Sequence, residues 1–145
     1  MNHTSAHKEK ALRYYENGYL CSQAVLAAFA EEYGLSEAQA LKLGTCLGAG
    51  MRKGEVCGAC TAALMLLGLQ HEDPRNRRAA YELSNRFLDA FREANGSYRC
   101  NELLGCDIRT PGGLQYALDS NLFTEFCPKM VESAVEILEG LLQSR

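Results

Sequence analysis

Along the 145 residues, apolar positions recur at steps of three and four, and Gly, Pro and Asn divide them into segments of helical length. β-Branched residues are few and no period-two alternation is sustained, so the pattern predicts an all-α chain without strands. A first helix is read from about Ser5 to Glu16, stopped by Asn17-Gly18. A second runs from Cys21-Ser22 through Val25, Leu26 and Phe29 to Tyr33 and stops at Gly34. Ser36 reads as the N-cap of a helix over Glu37 to Leu47, with Leu41, Leu43, Cys46 and Leu47 assigned to the core.

The segment from Cys57 to Leu69 is apolar on nearly every face, which predicts a buried central helix. Before it, Gly48-Ala49-Gly50-Met51-Arg52-Lys53-Gly54 lacks the Gly-Lys-Ser/Thr ending and the preceding strand of a phosphate-binding loop. Its glycines suit a sharp turn and a close backbone approach. Asp73-Pro74 is read as opening a long helix to about Asn95, with Ala80, Leu83, Phe87, Phe91 and Ala94 on one face. A short helix is predicted over Cys100 to Leu104, another from Thr110-Pro111, and a last one from Cys127-Pro128 with Val131, Ala134, Val135, Leu138, Leu141 and Leu142 facing inward. No repeat or linker interrupts this series. The expectation is one cysteine-rich domain over 1–145: a compact bundle of about five main helices, a buried central one and one or two short ones.

Composition and charge narrow the partners. An apolar fraction of 47% can fill such a core without covalent staples. The net charge of −3 gives no field for nucleic acid or an anionic membrane, and Arg75, Arg77, Arg78 and Arg86 read as a solvated rim. No stretch approaches the ~20 apolar residues of a membrane span. The first residues lack the charged start and apolar run of a secretory signal, so a cytoplasmic, thiol-reducing location is expected. A redox partner is expected but not identified, and a homo-oligomer stays open.

Seven cysteines are many for such a compartment, and an odd number cannot pair completely. Cys21, Cys57, Cys100 and Cys127 all fall at predicted helix starts, where unpaired amides and the helix dipole favour thiolate over thiol. Cys57-Gly58-Ala59-Cys60 sets two sulfurs one helical turn apart, the arrangement of dithiol oxidoreductases, although the βαβ context is missing. Cys106 follows Gly105 and is placed near Cys100 as a resolving thiol. His3 and His7 are read as terminal, and neither they nor His71 show a histidine metal motif. Glu55 is weighed as a proton acceptor for Cys57 against a solvated loop carboxylate.

Gly48-Ala49-Gly50-Met51, Gly54-Glu55-Val56-Cys57-Gly58-Ala59, Ala63-Leu64-Met65 and Leu67-Gly68-Leu69 together resemble the redox-active protein family designated C_GCAxxG_C_C. Cys21-Ser22-Gln23-Ala24-Val25, Cys100-Asn101-Glu102-Leu103-Leu104-Gly105 and Cys127 extend the likeness over nearly the whole chain. The resemblance implies a redox role for Cys21, Cys57, Cys100 and Cys127. The chain departs from it at Ala62, where the motif has glycine, and Cys46, Cys60 and Cys106 lie outside it. The family is similar to a domain of split-Soret cytochromes associated with an iron-sulfur centre, which implies such a cofactor here.

Three readings follow. In the first, Cys21, Cys57, Cys100 and Cys127 bind an iron-sulfur cluster or another thiolate-held metal, through a site assembled by the fold because their spacing matches no ferredoxin or zinc ribbon. In the second, Cys57 attacks a disulfide and Cys60, Cys21 or Cys100 resolves it. In the third, the chain is a non-catalytic helical binding module with packed thiols. The sequence leaves open whether the protein is an enzyme.

Overall fold

The computed structural model describes residues 5–143, and every regular element among them is helical. Helix α1 (Ala6–Glu16) begins where Ser5 Oγ accepts from the Lys8 amide at 3.0 Å. Helix α2 (Cys21–Phe29) tightens into a 3-10 turn over Ala30–Tyr33, which Gly34 ends in the left-handed region. Helix α3 (Glu37–Leu43) starts on a Ser36–Gln39 capping box. Helix α4 (Gly58–Leu69) is N-capped by Cys57, and α5 spans Arg78–Asn95. The short α6 (Cys100–Leu104) and α7 (Pro111–Asp119) precede a wide π-type turn over Leu122–Phe126, which feeds α8 (Cys127–Gln143).

Helices α2, α4 and α8 pack mutually, with α1 laid against α2 and α8, and α5 against α4 and α8. Ala24, Ala27 and Ala28 of α2 and Ala59, Ala62 and Ala63 of α4 are all buried, and such small side chains let two helix backbones come close. Phe29, Phe87 and Phe91 fill the wider spaces. The predicted central helix is therefore present, buried along Ala59, Cys60, Ala62, Ala63, Leu66 and Leu67, half-buried along Thr61, Leu64 and Met65, and exposed at Leu69. No helix among the described residues is long and apolar enough to cross a membrane.

Three local expectations are corrected. Helix α3 stops at Leu43 rather than Leu47, because Gly44 presses against Gln23, where even a methyl group would sit 3.0 Å from its Cα. The turn that follows leaves Cys46 exposed and Leu43 52% exposed, so neither belongs to the core. Helix α5 begins at Arg78 rather than Asp73, since Asp73 Oδ1 takes the Arg75 amide at 2.9 Å in a local turn that competes with the helix; at its other end Ala94 faces solvent. His7 is not a loose terminal residue: its ring stacks on Phe29 at 3.9 Å within α1, whereas His3 lies outside the described residues.

Candidate functional site: a cavity lined by four thiols

The starts of α2, α4, α6 and α8 meet at one cavity of about 600 Å³, and Cys21, Cys57, Cys100 and Cys127 all line it. Cys21 is the first residue of α2, a start fixed when the Leu20 amide donates to Gln23 Oε1 at 2.9 Å. Cys57 and Cys100 are set by one short pairing of two loops. Val56 and Arg99 form an antiparallel bridge, flanked by Cys57 N donating to Tyr98 O at 2.8 Å and Cys100 N donating to Glu55 O at 2.6 Å. Each cysteine thus follows a bridge residue and opens its helix into the same space. Outside the bridge Arg99 Nη2 donates to Glu55 Oε2 at 3.0 Å, which engages Glu55 in the loop pairing.

Close packing around Cys21 makes one glycine obligatory. A methyl group on Gly58 would stand 2.8 Å from Cys21 Sγ and 2.9 Å from the Leu47 carbonyl. The thiol of Cys21 interacts with that of Cys57, and Cys57 in turn with Cys60, which is fully buried. Across the cavity the Tyr15 hydroxyl donates to the Phe123 carbonyl and reaches the Cys127 thiol. Cys60 and Cys106 do not line the cavity, although Cys106 acts electrostatically on Cys100.

The glycine-rich passage becomes a left-handed turn. Ala49, Gly50, Met51 and Arg52 have φ of 54°, 61°, 59° and 63° in succession. The three that are not glycine each cost about 1–2 kcal/mol. The strain is sustained by Met51 N donating to Leu47 O at 3.1 Å and Glu55 N donating to Gly50 O at 3.1 Å. The result bears on the sulfurs directly. The Ala49 amide lies near enough to Cys21 to favour its thiolate, and Arg52 lines the cavity within electrostatic reach of Cys100. The glycines foretold a sharp turn; nothing in their spacing announced its left hand. Tyr15 carried no signal that set it apart from its neighbour Tyr14.

Thiolate stabilisation at helix starts is overturned as an expectation. Amides do reach Cys21 and Cys57, yet all four cavity thiols are held above their ordinary value. For Cys21 the bond with Cys57 and then burial hold it well above. At Cys57 the bond with Cys21 pulls down, but the bond with Cys60 and burial outweigh it. Burial, reinforced by neighbouring sulfurs, pushes Cys100 to about 12 and Cys127 to about 11. An apolar cavity penalises charge more than a helix end rewards it. Among the described residues, no three His, Cys, Asp or Glu side chains converge so as to hold a metal ion.

The fold and the cavity define an all-helical protein with a cysteine-lined internal site. Residues 19–141 match the family described as "Putative redox-active protein (C_GCAxxG_C_C)", and the chain belongs to that family. No curated protein and no solved structure matches it.

Proposed function

We propose that the protein is a redox carrier whose cavity holds an iron-sulfur cluster through Cys21, Cys57, Cys100 and Cys127. The observation that carries this reading is that these four sulfurs, remote in sequence, line one apolar cavity. Their donor set fits the cofactor, since such clusters are held by four cysteines. Thiols spread around a wall suit a body with irons on several sides. A single zinc ion would need sulfurs converging at about 2.3 Å. The cluster would supply one-electron transfer. The chain's own residues would surround the cluster with hydrocarbon, and the Ala49 amide, close to Cys21, would temper the charge on that sulfur. Because the free thiols keep their protons, ligation must expel them, and loading should release protons and improve as pH rises.

Anaerobic reconstitution with iron and sulfide, followed by iron and labile-sulfide analysis and visible spectroscopy, tests this. Serine at each of the four positions should remove most of the bound iron, while Cys46→Ser should leave it intact. Wild-type protein that stays colourless and iron-free, or four variants that all load normally, would end the proposal.

Contact of Cys57 with both Cys21 and Cys60 supports a second reading, a dithiol pair. Here Cys57 and Cys21, or Cys57 and Cys60, would join as a disulfide, giving two protons to solvent and two electrons to an external disulfide. Incubation with glutathione disulfide would then lower the chain's mass by two hydrogens, reversibly, and serine at Cys57 would abolish the change.

A further inference from the structure

We propose that the cavity is also a binding site for a small organic monocarboxylate with an apolar body, held by Arg52. The volume of about 600 Å³ lies within the range of small-molecule sites. Beyond the sulfurs, much of the lining is hydrocarbon from Leu103, Ile108, Leu114, Leu118, Phe123 and Phe126. Leu114 and Leu118 of α7 stay 39% and 52% exposed, an apolar wall open to solvent on the side a ligand would cover.

Arg52 supplies the polar anchor. Arg99 and Arg109 are neutralised by Glu55 and Asp107. Arg52 has no ion-pair partner among the described residues, yet lines the cavity. The left-handed turn that carries it puts Ala49 and Arg52 on the lining, with the exposed Arg52 at the mouth of the cavity. A guanidinium fork matches a carboxylate in two parallel hydrogen bonds. Glu16 is also on the lining, and its carboxylate would repel a phosphate dianion more strongly than a monoanion.

The inference stands on this wall and on Arg52, so it is tested on the full chain both with bound iron removed and as purified anaerobically. Calorimetry with octanoate and its neutral counterpart octanamide reads the charge contribution directly. Octanoate should bind about tenfold more tightly, the effect of a charge-assisted hydrogen bond. Arg52→Gln should erase that preference, with octanamide unchanged. Leu118→Gln should weaken both probes by a similar factor and keep their ratio, which separates loss of the wall from loss of the anchor. Equal affinity of the two probes, a preference that survives Arg52→Gln, or no binding of either would overturn the proposal. The iron-free chain decides the carboxylate site, and iron content, read on the chain as purified, decides the cluster separately.

Discussion

On the flank where α1 crosses α2 and α8, His7 lies between two carboxylates, 2.8 Å from Glu139 Oε2 and also bonded to Glu32, with its ring on Phe29. At the sulfur cavity, four thiols share a largely hydrocarbon wall, with Glu16 and Arg52 as its charged members. Both places bury ionisable groups, but only the first gives each charge an opposite one. Burial lowers His7, yet the two carboxylates more than offset it and raise its value, favouring the charged form. At the cavity the neutral form wins, because neighbouring sulfurs repel charge as burial does. The difference explains how helix starts that look activating in sequence can hold unreactive thiols until something cationic enters.

The sharpest way to break this contrast is site-resolved alkylation of the metal-free chain. At mildly alkaline pH, Cys100 and Cys127 should react far more slowly than exposed Cys46, because burial shields them and holds their own thiols above the ordinary value. Comparable rates at all three would show that the cavity does not suppress ionisation. The same shifts set an alkaline limit on stability. Above the ordinary 9.0 the unfolded chain releases protons that the folded one retains, so stability should fall progressively up to about pH 11 for Cys127 and 12 for Cys100.

Two glycines of α4 offer a smaller and opposed pair of effects. Gly58→Ala should destabilise by about 1–3 kcal/mol through overpacking on Cys21, measured by urea denaturation. Gly68→Ala, where a methyl group meets nothing within 4 Å, should stabilise by about 0.5–1 kcal/mol through helix propensity. Equal behaviour at the two ends would mean that the cavity end is not tightly packed.

The mildest effect belongs to His7. Its folded value is raised, so its contribution is whole below the ordinary 6.5 and disappears as pH climbs through the folded value. Melting curves across that interval should show wild type losing its margin over His7→Gln as the ring deprotonates. A margin that grows with pH would contradict the carboxylate sandwich.

How far these features could be read in advance differs residue by residue. The starts at Cys21, Cys100 and Cys127 and the stops at Gly34, Gly96 and Gly105 follow from local chemistry, and the structure has them. Leu43 and Cys46 escaped, because the helical period continued through them while the contact of Gly44 with Gln23 ended the helix. Arg52 escaped because handedness of a turn is set by what surrounds it.

By itself, the order of residues determined that the chain is all helical, that α4 lies inside, and that four cysteines open helices, since caps, periodicity and breakers act within a few neighbours. Tertiary structure alone decided that those openings face one cavity, that Cys60 sits behind Cys57, and that Tyr15 and Arg52 join them. It also decided the protonation of the sulfurs, because desolvation depends on everything packed around a group and cannot be summed from its sequence neighbours.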